Sequence, residues 1–207
     1  MLQQTEEWHM ARLGRVTASR LSDVMARTKT GFGASRETYK TELLVEMCTN
    51  KPTEHFVNSY MEWGIENEPQ ARDRYQFIND CEVTETGFVV HPENDQFGAS
   101  PDGLVGDDGL IEIKCPMTKT HIQTILTKKI PRKYMLQMQG QMLCTGRKWC
   151  DFVSFDPRVT GDMQIYMQRV EYRPDVADMI IRDVWEFLKE LNADYLDLLE
   201  YQIHGTA

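Results

Sequence analysis

Apolar residues recur at two spacings along the chain. Met61, Ile65, Ala71, Tyr75 and Ile78 fall at helical intervals and predict a helix over Ser59–Asn79. Pro69 has no backbone donor and predicts a kink or a restart within it. Ser19–Ala26, Glu37–Cys48 and Lys133–Cys144 also read as helices. A flexible loop rich in Gly and Thr, Thr28–Ser35, joins the first two of these. Pro174 stands at a first helical position and opens a long acidic helix to about Tyr201. Its core stripe is Val176, Ile180, Val184, Phe187 and Leu188. Strand-like runs are Gly87–His91, Gln96–Ala99, Leu110–Lys114, Asp151–Phe155 and Gln164–Val170. This order predicts an α/β fold with a mixed sheet flanked by helices. No repeat, low-complexity tract or Pro/Gly linker divides the chain, so one domain is expected over residues 1–207.

A chain of 207 residues can bury a core without staples. With 41% apolar and 27% charged residues it is an ordinary globular mix. No apolar run reaches the roughly 18 residues of a membrane span. Met1 to Arg12 shows no secretory h-region, so a cytoplasmic location is expected. Cys48, Cys81, Cys115, Cys144 and Cys150 form no C-x-x-C pair, and free thiols are expected.

The net charge of −9 argues at first against a nucleic-acid partner. Its distribution reverses that. Ile113–Cys150 contains no Asp or Glu, yet holds Lys114, Lys119, Lys128, Lys129, Arg132, Lys133, Arg147 and Lys148. The N-terminal segment also leans basic, from Arg12 to Lys40, whereas the residues after Glu171 are acidic. A basic zone in an acidic protein is a candidate phosphate-binding surface.

The chemistry concentrates in Ser100-Pro101-Asp102-Gly103-Leu104 and Leu110-Ile111-Glu112-Ile113-Lys114. Period-two alternation puts Glu112 and Lys114 on one strand face, opposite Ile111 and Ile113. A hairpin through Gly103–Gly109 brings Asp102 back beside Glu112. Two converging carboxylates repel unless a divalent cation lies between them. Oxygen ligands favour Mg²⁺ or Mn²⁺ over zinc. Glu68 shares a helix face with Met61 and Ile65, which aims it at the core side and at this site. This spacing is the pattern of the PD-(D/E)XK nucleases, whose core is restriction-endonuclease-like.

The resemblance extends further. Trp8-His9, Arg12-Leu13-Gly14 and Thr17-Ala18-Ser19 resemble the opening signature of the phage lambda-type alkaline exonucleases, the YqaJ-like viral recombinase family. Trp63-Gly64 with Glu68 and Ala71-Arg72, the two blocks above, Tyr134-Met135-x-Gln137-x-Gln139, and Phe155-Asp156-Pro157-Arg158 follow in order.

That resemblance implies a Mg²⁺-dependent 5′-to-3′ exonuclease on linear double-stranded DNA, with two ions per site and Mn²⁺ as substitute. It implies release of mononucleotides and a 3′ overhang for a single-strand-annealing protein. It implies a ring-shaped homotrimer encoded by a phage or prophage and acting in the bacterial cytoplasm. Asp102, Glu112 and the Ile113 carbonyl match the metal ligands, Lys114 the residue that activates or orients water, and Glu68 a carboxylate near the metals. Arg12 and Ser19 match a 5′-phosphate pocket, and Ser100 and Gln137 match polar residues lining the scissile site. Lys29 stands where the family has an arginine that touches backbone phosphate. Lys119 or His121 takes the place of a basic residue after Cys115-Pro116. The stretch Lys128, Lys129, Arg132 is expected to track the DNA backbone. His9, His55 and His91 are read as structural. The rival readings are a related endonuclease and a non-cleaving DNA-end-binding module.

Overall fold

The computed structural model describes residues 3–53 and 59–204. Seven helices occur among them: α1 Glu6–Arg12, α2 Leu21–Val24, α3 Ala34–Thr49, α4 Ser59–Asn79, α5 Thr118–Thr127, α6 Arg132–Thr145 and α7 Pro174–His204. The strands are β1 Val16–Thr17, β2 Arg27–Thr28, β3 Gly31–Phe32, β4 Val83–Thr84, β5 Val89–His91, β6 Asn94–Ala99, β7 Gly103–Val105, β8 Gly109–Lys114, β9 Trp149–Phe155 and β10 Ile165–Glu171. His55 lies outside the described residues.

Five strands form the sheet that carries the chemistry, in the order β10-β9-β8-β7-β4. β8 and β9 run parallel and the other pairs antiparallel, so the sheet is mixed. Ala71 and Tyr75 of α4 pack on Ile111, Ile113, Val153 and Phe155. Met138 and Met142 of α6 pack with Leu110, Cys150 and Phe152. The sheet is thus covered by helices on both faces, as a strand with buried residues on both sides requires. A second sheet, β1-β6-β5, and the β2–β3 hairpin complete the strands among the described residues.

The other side of α6 supplies Leu136 and Cys144 to a further core with Val16, Leu21, Tyr39, Phe97 and the α7 stripe Ile180, Val184, Phe187 and Leu188. α6 therefore joins the two halves of the molecule. No helix among the described residues is long and apolar enough to cross a membrane. All five cysteines are free.

Three expectations change. The segment Thr28–Ser35 is a short hairpin followed directly by α3, not a loop. Pro69 lies inside an uninterrupted α4, with no restart. The proline removes a bond to the Ile65 carbonyl, and both residues are exposed, so water can take that carbonyl. The buried face of α4 is Asn67, Ala71 and Tyr75, while Met61 and Ile65 are 46% and 50% exposed.

Candidate active site

The hairpin β7–β8 brings the carboxylates together. Gly103 pairs with Ile111, which sets Asp102 beside Glu112. The β7 ladder ends there, so the Ile113 N–H would be an orphan. Asp102 Oδ2 accepts it at 2.6 Å. Asp102 Oδ1 has no hydrogen bond among the described residues.

Glu112 is fully buried, at 0% exposure. Its Oε2 accepts from Gln141 Nε2 of α6 at 2.5 Å. Its Oε1 forms an ion pair with the Lys114 ammonium and accepts no other hydrogen bond. Lys114 also lies 5.2 Å from the centre of the Tyr134 ring.

Burial pushes the Asp102 carboxyl well above the usual range, and the negative charge of Glu112 pushes it further. Burial likewise raises Glu68, with Glu112 adding to it against Arg72 and Lys114. Burial opposes the charge on Lys114, but Glu112 and Asp102 outweigh it and hold its pKa above the ordinary lysine value. Three carboxylates therefore crowd one another around a single lysine. Glu68 is additionally held by Arg72, which donates to it at 2.7 Å. Glu68, Arg72, Glu85 and Asp102 line a pocket of about 180 Å³.

This donor set fits a hard divalent cation. Asp102 and Glu112 offer oxygen atoms with spare acceptor capacity, and their mutual repulsion is what a cation relieves. Among the described residues, no three His, Cys, Asp or Glu side chains make a cage by themselves. Mg²⁺ sites commonly use one or two carboxylates and take the remainder from water and phosphate.

A groove of about 830 Å³ adjoins this pocket, and both are lined by Gln4 and Ile65. Trp8, Arg12, Thr17, Ser19 and Tyr39 line the groove. The Arg12 guanidinium stacks on Trp8, 3.9 Å from the ring centre. Burial pulls its pKa below the ordinary arginine value, against Tyr39 and Glu46. No carboxylate lies within ion-pair distance of it among the described residues. Trp8 Nε1 donates to Ser100 Oγ at 2.9 Å, linking the groove to the segment that carries Asp102. Ser19 is exposed, and its hydroxyl lies 3.1 Å from Thr17 Oγ1.

Other expected residues fall outside this centre. Gln137 is half-buried on α6, one turn before Gln141, with no hydrogen bond among the described residues. Lys119, Lys128, Lys129 and Arg132 are exposed at the ends of α5 and the start of α6, and form no ion pair among the described residues. Lys133 continues that strip to the site, since its ammonium lies 4.7 Å from the same Tyr134 ring that Lys114 meets. Lys29 is exposed at the tip of the β2–β3 hairpin and lines neither cavity. His121 is corrected: it is fully buried, with its ring nitrogens on Ser154 Oγ at 2.8 Å and the Met163 carbonyl at 2.7 Å. It has no free nitrogen for phosphate.

Gln141, Trp8 and Tyr134 were not among the expected site residues. Gln141 had one usable signal: it falls four positions after Gln137, on the same helix face.

Paired acids on a hairpin, with a lysine two residues along the second strand, in a mixed sheet between helices, define a nuclease core of the PD-(D/E)XK type. Residues 7–148 match the YqaJ-like viral recombinase domain, and the chain belongs to that family. The alkaline exonuclease LHK-Exo of Laribacter hongkongensis is 50% identical, with a TM-score of 0.90 over 96% of this chain and 98% of its own. A crystal structure of LHK-Exo in complex with dAMP matches equally well. A phage-related exonuclease of Haemophilus somnus shares the fold at 18% identity, with a TM-score of 0.68 over 91% of this chain and 96% of its own. An uncharacterized protein of Acanthamoeba polyphaga mimivirus is 26% identical over 164 residues, covering 73% of this chain and 28% of that protein.

Proposed function

We propose that this chain is a Mg²⁺-dependent exonuclease that degrades one strand of linear double-stranded DNA from the 5′ end. The observation that carries this reading is the convergence of Asp102, Glu112 and Lys114 beside a groove whose Arg12 has no acidic partner within ion-pair distance among the described residues. The 50% identity to an alkaline exonuclease supports the activity class, and that relative's dAMP complex supports a mononucleotide product.

Asp102, Glu112 and the Ile113 carbonyl would hold the cations, two per site, with Mn²⁺ able to replace Mg²⁺. When bound, the metal supplies Lewis acidity at the scissile phosphate and makes water a stronger acid. The protein's own groups do the rest. Gln141 fixes Glu112. Lys114, held charged by its carboxylate neighbours, acts as a donor that orients the attacking water and offsets phosphate charge, rather than as a base. Glu68 completes the acidic wall, Ser100 lines the scissile strand, and Gln137, one turn from Gln141 on α6, meets that strand just outside the carboxylate centre. Arg12 and Ser19 hold the terminal 5′-phosphate, a task suited to a guanidinium fork beside a small hydroxyl. Polarity follows, because only one kind of end fits. Lys119, Lys128, Lys129, Arg132 and Lys29 meet backbone phosphates without reading sequence. The same reading extends to a ring-shaped homotrimer, and to a 3′ overhang passed to a single-strand-annealing protein in a bacterial cytoplasm.

Digestion of end-labelled linear duplex tests this, with 5′-phosphate or 5′-hydroxyl ends and Mg²⁺ or Ca²⁺. Nucleotides should be released from 5′-phosphorylated ends in Mg²⁺ only. Arg12→Ala should lower the preference for 5′-phosphate about tenfold or more, the worth of one charge-assisted contact. Cutting of a closed circle would make the protein an endonuclease. Binding without release in Mg²⁺ would make it an end-binding module.

A further inference from the structure

We infer that Arg158 is a DNA-backbone contact at the rim of the catalytic site, held in place by Asp156 and Trp63. The inference rests on the nuclease reading above.

Arg158 follows β9, where Ser154 is the register partner of Lys114. Asp156 is fully buried and holds Arg158 by three bonds. Oδ1 accepts from the guanidinium Nε at 2.8 Å and from the Arg158 backbone N–H at 3.0 Å, and Oδ2 accepts from Nη2 at 2.9 Å. The guanidinium carbon also lies over the Trp63 ring, 4.1 Å from its centre. Nη2 makes a further bond to the Pro116 carbonyl at 3.4 Å.

Those contacts place the guanidinium beside the elements that carry the site, outside both cavities. Pro116 is two residues after Lys114, a span of at most about 7 Å. Trp63 precedes Glu68 on α4 by about 7.5 Å of helix rise. Arg158 therefore bridges the strand that carries Lys114 and the helix that carries Glu68. Against burial, the Thr118 side chain, at the start of α5 and one residue before the exposed Lys119, helps Arg158 hold the Asp156 carboxyl below its usual range. The rim thus adjoins the exposed cations of α5 and α6.

Fixing the loop would need only the bidentate bond to Asp156. The structure adds an aromatic stack and still leaves 37% of the side chain exposed, with Nη1 unbonded among the described residues. The Asp156 carboxylate is fully buried, while the guanidinium it holds is partly open to solvent. A guanidinium fixed this way has little conformational freedom left to lose when it meets a phosphate oxygen.

The experiment is the salt dependence of binding to a fluorescent linear duplex, followed by anisotropy in Ca²⁺. Neutralising one phosphate contact changes the slope of log K against log salt by about 0.9. Arg158→Gln should lower the slope by about that amount. Arg158→Lys should keep the slope but bind several-fold more weakly, because the fork and the stack are lost. An unchanged slope in Arg158→Gln overturns the inference. If that variant does not fold, wild-type affinity in Arg158→Lys overturns it instead. Wild-type protein that binds no linear duplex overturns the nuclease reading as well. Wild-type protein that binds and digests duplex while the Arg158→Gln slope stays unchanged overturns only the role of Arg158.

Discussion

Gln141 donates to Glu112 across the interface between α6 and the sheet, Nε2 to Oε2 at 2.5 Å. The same amide reaches the Ser100 carbonyl at 3.5 Å. One side chain thus fixes the Glu112 carboxylate against the segment that carries Asp102. Gln141→Met keeps the volume and removes the donor. It should cost about 1.5–3 kcal/mol in unfolding free energy, the worth of a hydrogen bond to a charged group. It should also weaken Mn²⁺ binding about 10- to 100-fold, as loss of an outer-shell partner does. Calorimetric titration with Mn²⁺ measures this, and wild-type affinity would show that Glu112 is oriented by something else.

Lys114 pairs with the buried Glu112 and feels the charge of the half-buried Asp102. Lys114→Met should abolish cleavage and leave Asp102 and Glu112 facing each other uncompensated. The metal-free variant should therefore be less stable than wild type. Its melting temperature should rise more than that of wild type when Mg²⁺ is added, since the ion takes over the missing charge. Scanning calorimetry with Mg²⁺ or with chelator makes the comparison. Equal shifts in the two proteins would mean that the ion does not bind at these carboxylates.

His91 supplies a pH dependence away from the site. It is buried between Phe97 and Trp185, at ring-centre distances of 5.7 and 5.3 Å, and its Nδ1 accepts the Glu93 N–H at 3.1 Å. Burial lowers its pKa below the free value, against the opposing pull of Glu93. As pH falls through about 6.5, the unfolded chain takes up a proton that the folded chain resists. This stabilising contribution is full above that pH and is lost as the pH falls towards the folded-state pKa. Urea unfolding at pH 7.5 and 5.5 should show a smaller acid loss in His91→Gln than in wild type. An identical loss in both proteins would remove His91 as a source.

The carboxylate pair was legible because it is local. One hairpin register places Asp102 against Glu112, and alternation along one strand adds Lys114. Contacts that depend on tertiary packing were not legible. Gln141 is 29 residues from Glu112, and Trp8 is 92 residues from Ser100. Helical spacing on α4 showed which residues share a face, but not which face turns inward. There Asn67, Ala71 and Tyr75 took the buried side. Two-residue strands such as β1 and β4 are too short to show any period. The basic N-terminus was misleading for a different reason. Arg27, Arg36 and Lys40 are taken up by Asp183, Glu190 and Asp194 of α7, and Arg20 by Asp23 and Glu42. Much of the charge split between the two ends of the chain is thus internal pairing. Arg12 and the strip from Lys119 to Lys133 remain unpaired among the described residues.

Gly140 lets the two halves of the site approach. It lies one residue before Gln141 on α6, and a Cβ there would sit 2.5 Å from Leu21 Cδ1 and 3.1 Å from Ala18 Cβ. Ala18 begins the 3₁₀ turn that carries Ser19. Alanine in a helix gains up to about 1 kcal/mol over glycine in propensity. Overpacking against the buried Leu21 should exceed that, at about 1–3 kcal/mol. Gly140→Ala should therefore destabilise the protein and shift Ser19 and Arg12 away from the carboxylates. The preference for 5′-phosphate should fall while Mn²⁺ affinity changes little. Leu21→Val removes the clashing methyl and should recover part of the loss, so the two substitutions together should cost less than their sum. Unfolding free energies of the four proteins measure that coupling. Strict additivity would mean that α6 relaxes without pressing on the Ser19 turn.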